Sequence, residues 1–335
     1  MRFRLIILLV VLGLLLSACG AGETPAVTAS PVPIDTPVLP PALTATPTVP
    51  LAILVLPADM DAETSDLYQK TVYDLAQASG MRFQVRNTLT TADLEPGLKI
   101  VIALHTDPGL SALAPTVPDV QFLAISVPGI DVAGGNISVL GNNSQVEVAG
   151  FLAGYTAAML ADDYRTGMLM PKGNNDAIRM FNAFNNGRTF FCGLCRPYFY
   201  LPWSFPQYLE IPAEEDKNNY DAYADILILQ FKVRTLFIHP DIYTQDLVDY
   251  IGTTGVSMIG TITPEQRPAG WIMTIQPDTV KAIQTAWPQL LSGQGGITVQ
   301  SPLGLSDVDP GLLSPGKQRL VQKTLDDLQA GFIAP

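Results

Sequence analysis

Continuous apolar runs alternate with amphipathic stretches along most of the chain. LAILVLPA, Leu51 to Ala58, predicts a strand covered on both faces, and AETSDLYQKTVYDLAQASG has the period of a surface helix closed by Gly80. MRFQVRNT, LKIVIALH, VQFLAISV and NISVLG predict further strands, with a short helix around Pro108 to Ala114. SQVEVAGFLAGYTAAMLADD is the clearest helical pattern, with a start signal at Ser144. Its small residues Gly150, Ala153, Gly154 and Ala157 share one side and predict a helix lying close on a sheet.

After Tyr164 the alternation restarts. TGMLMP, QYLEIP, TLFIHP, VSMIGTI and WIMTIQ predict strands, and GNNDAIRMFNAFNNGRTF, YDAYADILILQFKV, TQDLVDYIGTTG and TVKAIQTAWPQLLSG predict helices. Such alternation predicts an α/β protein with parallel sheets and helices on both faces. Two units of this kind, joined by crossovers, leave a central cleft. Ligands of such sheets collect at the carboxyl ends of the strands, so the loops to examine follow Leu56, Leu104, Leu140, Met170, Ile238 and Gly260.

The first fifty residues break this pattern. MRFRLIILLVVLGLLLSACG has two arginines, an apolar core too short for a comfortable bilayer crossing, and small residues before a break, which predicts an export signal over residues 1–18. The ending Leu16-Ser17-Ala18-Cys19 resembles the lipobox of bacterial lipoproteins, and the resemblance implies lipidation of Cys19. Two or more acyl chains give lasting attachment, at about 0.8 kcal/mol per buried CH₂. From there to Pro50 the chain is rich in Pro, Thr, Ala and Val and nearly uncharged, which predicts an extended tether over residues 19–50.

The remaining residues, 51–335, suffice for one large domain or two of middle size. Nineteen Lys and Arg against 31 Asp and Glu give a net charge of −12, which argues against a nucleic-acid partner. An exported chain meets an oxidising environment. With Cys19 lipidated, Cys192 and Cys195 are left as each other's partners, and a structural disulfide is the favoured reading of their Cys-Gly-Leu-Cys stretch. The alternatives are a redox pair, which would need the motif to open a helix rather than end one, and free or metal-bound thiols. His105 and His239 lie far away without zinc-ligand spacing. The aromatic stretch Pro197 to Tyr208 that follows is a rigid flap beside the cleft, a partner surface, or loop packing.

VPDVQFLAISVPG, NNSQVEVAGFLAGYTAAMLADDYRTGMLMPKGNNDAIRMFNAFNNG and the tail GLSDVDPGLLSPGKQRLVQKTLDDLQAGFI together resemble the basic membrane protein family. These are lipoprotein solute-binding components of ABC transporters, similar to purine nucleoside receptors. The resemblance implies a type I periplasmic-binding-protein-like fold: two doubly wound parallel-sheet lobes, a hinge and a central cleft. It places a first lobe at about 51–163, a second at about 164–290, and a segment 291–335 returning across the hinge. It further implies a small-molecule ligand, such as a nucleoside, and delivery to a membrane permease with its ATPase.

Family members carry an acidic residue and Ser-Phe-Asn after the first strand; here Asp59-Met60-Asp61 is followed by Leu67-Tyr68-Gln69. Tyr68 is the candidate aromatic plate for a base, and Gln69 the amide that reads its edge. Where the family has Gly-Val-Asp-Ser-Asp, this chain reads Gly260-Thr261-Ile262-Thr263-Pro264, so both acids that suit sugar hydroxyls are replaced. Asp241, in the His239-Pro240-Asp241 loop, offers a substitute, and Thr261 is a further candidate. The loops also present His105, Asp107, Asn142, Asn174 and Asp176, residue types that serve equally as turns and helix caps. There is no nucleophile elbow, phosphate loop or His-Glu-x-x-His run, so a binding protein without catalysis or cofactor is expected. The competing expectation is a ligand-sensing or structural surface lipoprotein that kept this fold and lost the family ligand.

Overall fold

The computed structural model describes residues 48–141, 145–161 and 163–335. The signal segment, Cys19, nearly all of the tether, Asn142 and Ser144 lie outside them. Among the described residues, no helix is long and apolar enough to cross a membrane.

The first half builds one sheet from β1 (Leu51–Val55), α1 (Ala62–Ala78), β2 (Arg82–Arg86), β3 (Leu98–Leu104), the single-turn α2 (Leu110–Leu113), β4 (Gln121–Ile125) and β5 (Ile137–Gly141). The second half opens with α3 (Val146–Leu160) and continues through β6 (Thr166–Pro171), α4 (Asn175–Cys192), β7 (Gln207–Ile211), α5 (Tyr220–Asp225), β8 (Thr235–Ile238), α6 (Gln245–Thr253), β9 (Ser257–Gly260) and β10 (Trp271–Pro277). Then come α7 (Thr279–Leu291), β11 (Thr298–Gln300), β12 (Leu303–Ser306) and α8 (Pro315–Gln329). The expected helix at YDAYADILILQFKV is α5 followed by a wider π-helical turn, Ile226–Gln230.

The strands form two six-stranded sheets, ordered β11-β5-β4-β3-β1-β2 and β12-β10-β9-β8-β6-β7. All pairings are parallel except β10 with β12, where Ile275 faces Leu305 across an antiparallel ladder. Every residue of β1 and β4 is buried, as a parallel strand covered on both faces requires. Each sheet has an apolar core on either face. The first joins α1 and α7 on one side, where Val72, Ala76, Ile283 and Trp287 pack with Leu54 and Ile102. The second joins α3, α4 and α8 on one side, with Leu152, Phe184 and Val321 against Met168 and Met273.

These cores correct the expected lobe boundaries. α3 packs on the second sheet, so the first crossover lies between Gly141 and Val146 rather than near residue 163. α7 packs back on the first sheet and β11 pairs with β5, so the second crossover is at Pro277 to Thr279 rather than at 290. The third is Ser301-Pro302, between β11 and β12. The role expected of the small residues on α3 is corrected as well. Gly150 and Gly154 lie against the backbone of α4 at Met180 and Phe184, and Gly187 of α4 lies against Phe151, so glycines on both helices let two helices, not a helix and a sheet, come close.

Candidate functional site

The second crossover, Pro277 to Thr279, runs along a cavity of about 420 Å³ between the two sheets. Leu67 and Tyr68 of α1 and His105 after β3 line it from the first lobe. Gln276 at the end of β10 and Gly304 to Ser306 of β12 line it from the second, with Asp278 and Thr279 of the crossover between them. A second cavity of about 420 Å³ shares Pro277 and Thr279 and extends beneath Ser126, Asp131 and Gly141 to Ser301. Ser301 is buried, and among the described residues its hydroxyl has no hydrogen-bond partner. Neither lining contains a lysine or an arginine, and each contains an aspartate.

Local chemistry explains how these groups are held. Tyr68 is half-buried against the first-lobe core, on a helix whose start is capped by Asp61 accepting from the Thr64 N–H at 2.9 Å. Asp278 caps α7 by accepting from the Lys281 N–H at 2.9 Å. His105 and Ser126, at the ends of β3 and β4, both have positive φ (54° and 49°), a backbone region that is uncommon outside glycine and frequent at binding loops.

Of the residues singled out from the sequence, Tyr68 and His105 therefore share one cavity. Asp61 is a helix cap, and its hydrogen bonds from Thr64 lower its pKa. Gln69 donates to Ser65 along its own helix at 2.9 Å and does not line the cavity. Asp59 is exposed on the loop after β1. Asp107 accepts from the Gly109 and Leu110 N–H groups and holds the turn into α2.

Four others gather separately, at the carboxyl ends of β6 and β8. Asn174 caps α4 through the Asp176 and Ala177 N–H groups, and its amide donates to Asp241 at 3.0 Å. His239 is buried, and its Nδ1 accepts from the Asp241 N–H at 3.1 Å. An accepting Nδ1 is unprotonated, so the 3.7 Å approach of the Asp241 carboxylate is not an ion pair. Burial lowers the His239 pKa, opposed by the nearby charges of Asp241 and Asp176. Asp176 itself points to Arg179 at 3.1 Å. Thr261 is half-buried, with its hydroxyl unpartnered among the described residues. None of these residues lines the two crossover cavities.

Sequence reasoning missed Asp307. Its carboxylate accepts from Thr274, Thr263 and Ser306 at 2.8, 2.9 and 3.3 Å, with its own backbone at φ 49°. The carboxylate absent from Gly260 to Pro264 thus arrives from 44 residues downstream. The signal was present as an aspartate in the tail GLSDVDPG, without anything to say which loop it would meet.

No family model matches the chain, and no curated protein matches it. Solved structures similar to it include a transcriptional activator of the comK gene from Bacillus halodurans, at 11% identity over 83% of this chain and 97% of that one, with a TM-score of 0.48. An ABC transporter solute-binding protein from Aeropyrum pernix K1 is 15% identical over 86% of this chain and 94% of its own, at a TM-score of 0.40. The lac repressor dimer bound to operator and the anti-inducer ONPF is 15% identical over 78% and 81%, at 0.37. With scores this low, the architecture rests on the sheets themselves. Two doubly wound sheets, three crossovers and cavities lined from both sheets make this a two-lobed α/β protein of the type I periplasmic-binding architecture.

Proposed function

We propose that this protein is a lipid-anchored, extracytoplasmic solute-binding protein of an ABC-type importer. The observation that carries the reading is the crossover cavity, where Tyr68 and His105 of one lobe face Gln276 and Ser306 of the other. A ligand touching both lobes favours their closed arrangement by its differential contacts, which is the physical basis of capture and release by a hinge. The lining supplies an aromatic face, an amide, hydroxyls and a carboxylate without a cationic side chain, so it suits a neutral or cationic polar solute better than a phosphorylated one. A nucleoside fits this chemistry and agrees with the family resemblance.

The Leu-Ser-Ala-Cys ending of the apolar N-terminal stretch supports membrane attachment through Cys19, and a permease with its ATPase would be the partners. The net charge of −12 supports a reading without nucleic acid. In this reading the protein captures and delivers its ligand without changing it. One observation favours a second reading, a sensing or structural surface lipoprotein: Thr261, Ile262 and Thr263 stand where the family has its two acids.

The test is calorimetry on the purified full-length chain against nucleosides, bases, sugars and amino acids. A saturating nucleoside, at about 100 times its Kd, should stabilise the protein by about 2.7 kcal/mol. Tyr68→Ala should then weaken binding by roughly 10- to 100-fold, the usual worth of one base-stacking aromatic. Unchanged affinity would remove Tyr68 from the site, and no response to the whole panel would move the weight to the second reading.

A further inference from the structure

The 14 residues from Gly193 to Pro206, joining α4 to β7, form a strap at the opposite end of the second lobe from the crossover cavities. α4 runs away from the carboxyl end of β6, and β7 begins at the amino end of the sheet, so the strap cannot be a flap beside the cleft. It is pinned at one end by the Cys192–Cys195 disulfide, whose Cα atoms are 5.2 Å apart, and at the other by Trp203, which donates to the Phe231 carbonyl at 3.1 Å. Between the strap and α4 lies a cavity of about 500 Å³.

Arg188 lines this cavity, and its residue is only 7% exposed. One terminal nitrogen donates to the Cys195 carbonyl at 3.3 Å and the other to the Asn185 side-chain oxygen at 3.4 Å, both long bonds to neutral acceptors. Among the described residues, Nε has no partner and no carboxylate lies within ion-pairing distance of the guanidinium. Desolvation lowers the Arg188 pKa, as burial of a cation must. A buried, under-used guanidinium is costly, and it is relieved by an anion that can take its forked donors. The cavity walls are aromatic: Tyr198, Phe199, Tyr200, Trp203 and Phe205. Tyr198 and Tyr200 are 79% and 90% exposed, and Arg196 at the rim is exposed as well.

From the buried guanidinium and the aromatic walls, we infer that the strap cavity is a second ligand site, taking a small organic carboxylate with a flat aromatic body. The carboxylate meets Arg188 and the ring lies against the strap's aromatic side chains. The site shares no residue with the crossover cavities and is opposite to them in charge, since they hold aspartates and no arginine. It stands whether or not the importer reading does.

The probes are phenylpropionate and its neutral counterpart phenylpropanol, titrated by calorimetry into the full-length chain. The inference expects saturable binding of the acid, with at least about a tenfold preference over the alcohol, as one charge-assisted hydrogen bond would give. Arg188→Lys, which keeps the charge and loses the fork, should weaken the acid about tenfold. Trp203→Leu should weaken both probes and covers the case in which the Arg188 variant does not fold. Tyr68→Ala should leave acid binding unchanged. Equal affinity for acid and alcohol, no saturable binding of either, or loss of acid binding in Tyr68→Ala would each overturn the inference.

Discussion

Replacing Gly154 by alanine tests the close backbone packing of α3 on α4. The substitution removes a helix-interior glycine, which by itself should stabilise a helix by about 1 kcal/mol. The site opposes it. A Cβ at Gly154 would lie 2.7 Å from the Phe184 carbonyl carbon and 2.9 Å from its Cα, with the carbonyl oxygen nearer still. Carbon atoms prefer separations of about 3.5 Å or more, so α3 and α4 must part by roughly 0.8 Å or more. The obstructing atoms belong to a helix backbone and cannot rotate aside. A gap of about that size forfeits a quarter to a half of each dispersion contact along the seam. Overpacking of this kind costs about 1–3 kcal/mol, and with backbone against backbone we take the upper end. After subtracting the propensity gain, Gly154→Ala should destabilise by about 2 kcal/mol and lower the melting temperature by roughly 4–8 °C. Gly316→Ala is the control, because it lies exposed in the first turn of α8 with Arg319 Nη2 its nearest neighbour at 3.9 Å. It should stabilise by about 0.5 kcal/mol. Differential scanning calorimetry of both variants is the assay. A Gly154→Ala protein that melts at or above the parent would refute the packing argument, since propensity alone would then account for both sites.

Intact mass after alkylation without reductant should show Cys192 and Cys195 unmodified in exported protein. Because the bridge closes a loop of only four residues, Cys192→Ser/Cys195→Ser should cost no more than about 2 kcal/mol in a denaturant titration. His239 has a folded pKa below its unfolded value of about 6.5, so the unfolded chain binds more protons as pH falls below that value. Its contribution is complete above pH of about 6.5 and is lost on acidification toward the folded pKa. Urea titrations at pH of about 7 and 5 should therefore show a smaller loss in His239→Asn than in the parent; equal losses would mean that His239 does not carry the dependence. Asp307→Ala leaves the Thr274 and Ser306 hydroxyls without their acceptor, Thr263 keeping Gln276 at 3.2 Å, and should destabilise by about 1–3 kcal/mol, whereas Asp307→Asn keeps an oxygen acceptor and tolerates the positive φ. Equal melting temperatures for these two variants would show that the oxygen is not what matters.

Most strands and helices were legible in the chain because their signals are local. The apolar runs at Leu51 to Val55, Ile100 to Leu104 and Leu236 to Ile238 read as buried strands, and the Asn174 and Thr244 caps mark the starts of α4 and α6. The strands β11 and β12 were not legible. Each has only three or four residues, and β12 is stabilised by its ladder with β10 rather than by any pattern of its own. Of the candidate ligand residues, those with short polar side chains near a helix start turned out to be caps, because Asp and Asn serve both purposes and nothing local separates them.

Alone, the sequence determined the α/β class, the doubling of the pattern, and an aromatic side chain at Tyr68 on the helix after the first strand, and it favoured without fixing the Cys192–Cys195 bridge that the structure forms. These depend on period, composition and near neighbours in the chain. Only the tertiary structure decided which lobe owns α3 and α7, because an apolar helix face fits either sheet until the competing cores are built. The same holds for the glycine seam between α3 and α4, for Asp307 beside Thr263, and for Arg188 beneath the aromatic strap. Each of these is a contact between segments whose meeting is set by the closing of the fold and not by the residues of either segment.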